Sequence, residues 1–163
     1  MTDPDHFGLF GLERRWRVDR GEVERRYLEL SQQHHPDNAV GQSAAVQRAA
    51  MELSSRVNAG YRVLRDPVLR AEYLVKLGGV DLDSSDPRTG APHPTQAFLM
   101  EMIELRERLE EGQAEALRDD VEARAEAALD AAIAALDRGE VRVAAERLVA
   151  RRYFQRFLDE VNA

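Results

Sequence analysis

The chain has 163 residues, enough for one domain or two small ones, and 44% of them are hydrophobic, so it can bury a core. It contains no cysteine, which excludes disulfides, thiolate metal sites, iron–sulfur ligation by this chain and cysteine nucleophiles. The net charge is −7; residues 1–75 hold eleven Arg/Lys against eleven Asp/Glu and residues 76–163 hold twelve against nineteen, so the excess lies in the second half. No basic surface is in prospect for nucleic acid, whose binding depends on neutralising phosphates. No apolar run approaches the roughly 18 residues a membrane span needs. The opening MTDPDHFGLFGL is acidic and lacks a signal-peptide apolar core, so a soluble cytoplasmic protein is expected.

The pattern is helical nearly throughout. Asp19 is placed to cap a helix reaching about His34, with Val23, Tyr27, Leu28 and Leu30 as its apolar face. Pro36 cannot continue that helix and biases His35 away from the α region. A second long helix is predicted from about Ser43 to Arg65, its stripe formed by Val46, Ala50, Leu53, Val57, Tyr61 and Leu64. Asp66-Pro67 ends it and opens a short helix with Leu69, Tyr73 and Leu77 inside. Residues 78–94, rich in Gly, Pro, Ser and Asp, read as a linker or loop and as the domain boundary. Three further helices are predicted at about 95–111, 115–138 and 140–161, punctuated by Gly112 and Gly139 and joined tightly enough to form an antiparallel three-helix bundle. The division expected is 1–76, a linker 77–94, and 95–163, in an all-α protein.

The stretch Gln33-His34-His35-Pro36-Asp37-Asn38 needs an explanation. Adjacent histidines diverge, and no HExxH or His-x3-His spacing accompanies them, which disfavours a metal site. A hydrolase built on His35 and Asp37 would lack an identifiable nucleophile motif or phosphate loop. Another reading is a polar helix end with a proline stop. The surroundings favour a display turn: His35-Pro36-Asp37 lies between two helices, followed by Asn58, Tyr61, Leu64, Asp66-Pro67, Arg70 and Tyr73, and preceded by DHFGLFGL. This ordered set resembles the J-domain, a co-chaperone module that stimulates DnaK-type ATPase chaperones. The resemblance implies chaperone contact through His35, Pro36 and Asp37, with Arg26 as a candidate for the same face. Asn38 departs from the lysine many J-domains carry, and Arg20, Arg25 and Arg26 alternate with Glu22, Glu24 and Glu29 where the family is more uniformly basic.

In AFLMEMIELRERLEE, Phe98, Met102, Leu105 and Leu109 fall within about 60° of one another at about 100° per residue, a complete core face. Leu99, Met100 and Ile103 are left over beside Glu104, Glu107 and Glu111. They are either buried by the linker or the first domain, or exposed as an apolar patch rimmed by carboxylates, the pattern of a protein-binding site. Phe154, about 120° around its helix from Leu148, is a candidate for the same patch, unless the core stripe drifts to include it. The stretches LMEMIELRERL and RAEYLVKLGGVDL, with the acidic bundle behind a J-domain, resemble the HscB family of iron–sulfur cluster biogenesis. That resemblance implies that Leu99, Met100, Ile103, Glu104, Glu107, Glu111 and Phe154 bind an IscU-type scaffold, which the protein delivers to a DnaK- or HscA-type chaperone. It also implies an adaptor and not an enzyme, with no cofactor of its own and no nucleic-acid or membrane partner. A general J-protein serving unfolded clients is the alternative, although neither a Gly/Phe-rich region nor a β client domain is visible.

Overall fold

The computed structural model describes residues 3–163. The described residues form a short helix α1 (His6–Leu9), α2 (Arg20–Gln33), a 3-10 turn (Pro36–Ala39), α3 (Ala44–Arg65), α4 (Pro67–Leu77), α5 (Gln96–Glu110), α6 (Ala114–Asp137) and α7 (Val141–Val161), with no named strand among them. Backbone contacts divide the chain into two compact units, Met1–Tyr73 and Leu74–Ala163, with the boundary inside α4. No helix among the described residues is long and apolar enough to cross a membrane.

Asp19 caps α2 as the sequence predicts, and Ser43 caps α3 at its expected start. Asp19 accepts from the Glu22 amide and Ser43 from the Val46 amide, so each satisfies an amide that a helix start leaves orphaned. In the first unit α2 and α3 run antiparallel, since Glu24 meets Tyr61 (2.6 Å) while Tyr27 meets Asn58 (2.9 Å). The Tyr27 and Tyr61 rings stack at 4.0 Å between them. Val23, Val57 and Leu64 close the core, and Phe7 and Phe10 of the first segment enter it. Gly60 makes that entry possible: a Cβ there would lie 2.9 Å from the Phe10 ring and 3.3 Å from His6 Nδ1. Two expected core members lie outside. Leu28 is exposed because it sits about 140° around the helix from Val23, and Val46 because α3 is exposed along its first turns. On α4 the buried positions are Arg70, Ala71, Leu74 and Val75, while Leu69, Tyr73 and Leu77 are only half-buried.

In the second unit, α6 and α7 pack through small residues. Ala125, Ala128, Ala132 and Ala135 on one helix and Ala144 and Ala145 on the other are all buried, which brings the two backbones close. α5 closes the bundle with Leu105 against Leu117, Val121, Phe154, Phe157 and Leu158, and with Phe98, Met102 and Leu109 packed at the margin. An ion-pair chain fastens α5 to α6: Arg124 pairs with Glu101 and Asp120, and Arg108 reaches Asp120 at 2.8 Å. Of the two readings of residues 78–94, linker or loop, the structure shows a folded loop, and the boundary between the units falls before it, inside α4. Val80, Leu82 and Pro92 are buried, the Asp81 amide donates to Thr89 O (2.7 Å), and Arg152 of α7 holds Leu82 O (3.3 Å) and Asp83 (3.0 Å). Gly90 is compact by necessity, since a Cβ would lie 2.3 Å from Ser84 O. The turn-forming residues here build a folded loop, because their amides and carboxylates satisfy one another locally.

Candidate functional site

The first candidate surface is the turn after α2. His34 caps the helix, and His35 adopts the extended conformation its proline neighbour demands (φ −63°, ψ 134°). Pro36 opens the 3-10 turn, and the Asn38 amide closes it on His35 O at 2.9 Å. His35 Nδ1 accepts the Asp37 amide (3.2 Å), while the Asp37 carboxylate, 85% exposed, points to solvent. Its oxygen lies 3.4 Å from His35 Nδ1, an ion pair only when that histidine is protonated. The turn is anchored from behind. The Asn38 side-chain amide donates to Gln32 O (2.9 Å) and Gln33 O (3.4 Å), two of the terminal carbonyls α2 leaves open. Asn38 therefore serves as a remote cap, and Ala39 beside it is buried. Sequence reading registered Asn38 only as a departure from lysine, because a bond spanning five or six residues has no sequence signal.

Arg26 is occupied within the unit. Its Nε donates to Glu22 (2.8 Å) and its Nη1 to Phe10 O (3.3 Å), which holds the first segment against α2. The remaining motif residues also hold the frame. Asp66 accepts the amides of Val68 and Leu69 and so starts α4. Arg70 is buried, donates to Leu64 O at 2.6 Å and lies over the Trp16 ring at 4.6 Å. Tyr73 accepts the His6 amide (3.0 Å) and stacks on its ring at 4.5 Å. Among the described residues no cluster of three His, Cys, Asp or Glu is placed to hold a metal.

The second candidate surface lies on α5. Leu99 (41%), Met100 (52%) and Ile103 (52%) are exposed, and Glu104, Glu107 and Glu111 are exposed beside them. Glu104 and Glu107 make no ion pair with a described residue. Leu99 and Ile103 line a groove of about 740 Å³ between α5 and α7, with Met102 and Phe157 also in its lining. Phe154 is not part of this surface. It is only 5% exposed and packs edge-on to Phe98 at 5.4 Å. The physical reason is that α7 packs against both α6 and α5, so its buried arc is wide enough to hold Leu148 and Phe154 together. The neighbouring Tyr153 reaches the groove instead, joining Phe157 in its lining; it lies edge-on to Phe98 at 5.6 Å and under the Arg156 guanidinium at 4.7 Å. Only the width of that arc distinguishes the two adjacent aromatics, and the sequence does not display it.

These features can be set beside known proteins. The family model of the HscB C-terminal oligomerisation domain matches residues 94–162. A co-chaperone protein HscB homolog of Bordetella petrii is 42% identical over 116 residues, which is 71% of this chain and 66% of that relative, just under two thirds of its length. The chaperone HscB from Vibrio cholerae has the same fold with a TM-score of 0.76 at 28% identity, covering 98% of this chain and 96% of that one. The human co-chaperone protein HscB superposes with a TM-score of 0.79 at 28% identity, over 99% of this chain and 83% of the human one. An all-α J-domain followed by a three-helix unit is thus the shared architecture. By sequence and by fold, the chain is similar to the HscB co-chaperones, and residues 94–162 match the model of their C-terminal domain.

Proposed function

We propose that this protein is an adaptor that binds an IscU-type iron–sulfur scaffold, brings it to a DnaK- or HscA-type chaperone and stimulates that chaperone's ATPase. The observation that carries the reading is the pair of exposed surfaces on one HscB-like chain: the Asp37 turn in one unit, and the apolar patch of Leu99, Met100 and Ile103 among carboxylates in the other. Asp37 offers an acceptor-only carboxylate suited to a bidentate guanidinium on the chaperone. Pro36 lacks an amide hydrogen and has a fixed φ, and the Asn38 anchor restricts the turn further, so docking costs less conformational entropy. His35 supports the contact by accepting the Asp37 amide. Arg26 contributes by holding the first segment in place.

On the second unit, Leu99, Met100 and Ile103 supply the apolar area for the scaffold, and Glu104, Glu107 and Glu111 select a basic rim on it. Tyr153, beside Phe157 in the groove lining, takes the place of Phe154 on that surface. The cluster stays on the scaffold, since this chain brings no thiolate ligands. In this reading the adaptor catalyses no reaction of its own and works in the cytoplasm. The test is a steady-state ATPase assay with purified chaperone and scaffold. The protein alone should raise turnover, and protein with scaffold should raise it further than either component. Equal stimulation by an unrelated unfolded client would favour a general J-protein instead.

A further inference from the structure

Charge within the second unit is sorted by helix. α5 holds two arginines against four carboxylates and α6 two against seven, whereas α7 holds five against three. The positive excess of α7 gathers at a second cavity, of about 340 Å³, between that helix and the folded loop 82–94. Arg142, Arg152, Arg156 and His93 line it together with Asp83 and Asp86. Both carboxylates are already engaged. Asp83 pairs with Arg152 at 3.0 Å, and Asp86 accepts the amides of Arg88 (2.7 Å) and Thr89 (3.1 Å). Neither Arg142 nor Arg156 makes an ion pair with a described residue. In a half-chain with an acidic excess of seven, two cations left unpaired at one cavity are available to an outside anion.

Tyr153 and Arg156 line both this cavity and the groove between α5 and α7, so the two concavities share a wall. Arg156 is steadied there by the Tyr153 ring and by its Nε donating to Arg152 O at 3.4 Å. We infer that the α5 docking surface continues over Tyr153 and Arg156 into the loop-bounded cavity, where Arg142 and Arg156 receive a carboxylate-bearing segment of the same protein partner. The inference rests on the docking role proposed above for α5. The resulting surface has a sign at each end, acidic at Glu104 and Glu107 and basic at Arg142 and Arg156. A partner with the opposite order fits one way round, while reversed docking brings like charges together. The cavity therefore sets the orientation of the partner on the apolar patch.

The experiment titrates the full chain with a purified IscU-type scaffold protein at low and high salt, with helical circular dichroism on every sample. Arg142→Glu with Arg156→Glu should weaken binding roughly tenfold or more at low ionic strength. The gap should close near 1 M salt, where the screening length is about 3 Å. Arg142→Gln with Arg156→Gln should lose less, and it serves as the measured variant if the reversal disturbs folding. Leu99→Ala with Ile103→Ala is the reference and should lose affinity at every salt concentration. If that reference loses affinity while the arginine variants bind like the parent, the cavity is outside the interface and this inference is overturned alone. If the reference also binds normally, the α5 docking role has failed and the inference falls with it. If the parent chain self-associates in sedimentation and the arginine reversal disperses it, the occupant is a second copy and the inference is wrong.

Discussion

Truncation of the exposed apolar residues should separate binding from folding. Leu99 and Ile103 are 41% and 52% exposed, so replacing both by alanine removes little buried area. Surface substitutions of this kind usually stay within about 0.5 kcal/mol, and alanine's helix propensity offsets part of that. Leu105 and Phe154 form the control pair, 2% and 5% exposed within the bundle core. Each of those truncations typically costs about 2–5 kcal/mol. For a unit the size of Leu74–Ala163, about 1 kcal/mol moves the melting temperature by roughly 4–8 °C. The surface pair should therefore melt within a few degrees of the parent, while either core substitution alone drops by ten degrees or more. Binding should respond in the opposite proportion. An interface anchor costs about 2 kcal/mol or more, which is roughly thirtyfold in affinity. The assay is calorimetric titration with a purified IscU-type scaffold, paired with thermal melting of the same samples. If the surface pair melts as badly as Leu105→Ala, those residues are core in solution and the patch reading is refuted. If it melts normally and binds normally, the patch exists but is not the docking site.

Asp37→Asn should remove chaperone stimulation in an ATPase assay without loss of helicity, because the carboxylate is exposed and bears no load in the fold; retained stimulation would end the role given to it. Asn38→Asp is nearly isosteric but aims a carboxylate at Gln32 O and Gln33 O in place of a donor. Losing a bond worth about 1 kcal/mol should raise the half-maximal concentration for stimulation roughly fivefold, leave the maximum unchanged, and speed amide exchange in the turn. A lowered maximum with unchanged exchange would contradict the anchoring role. The Arg124 and Arg108 side chains bonded to Asp120 hold its carboxyl below the usual range. A depressed folded-state value means the contribution is present above the unfolded value of about 3.9 and is lost as pH falls through the folded one. The second unit should lose stability in that acid window, and Asp120→Asn should be less stable at neutral pH with a flatter acid limb; parallel curves would refute it.

Much of this protein is legible from local chemistry. The helix start at Asp19 is visible because a cap bonds an amide three residues away. The end of α2 is visible because Pro36 acts on its immediate neighbours. The inward positions of Phe98, Met102, Leu105 and Leu109, and the leftover Leu99, Met100 and Ile103, follow from the helical period alone. The motif from Asn58 to Tyr73 marks the fold through residues that hold the frame, while the function proposed for the turn rests on the few side chains it displays. Tertiary structure decided the matters that depend on a second element. Phe154 rather than Tyr153 is buried because α7 packs against two helices, which widens its buried arc beyond a one-faced helix. Arg26 is drawn onto Phe10 O by a segment sixteen residues away, and Asn38 onto α2 by the reversal of the chain. The composition of residues 78–94 leaves linker and loop undecided, and they lie against α7 because Arg152, seventy residues on from Leu82, supplies the donor that holds the loop. A periodic pattern states which residues share a face, and only packing states how many faces of that helix are covered.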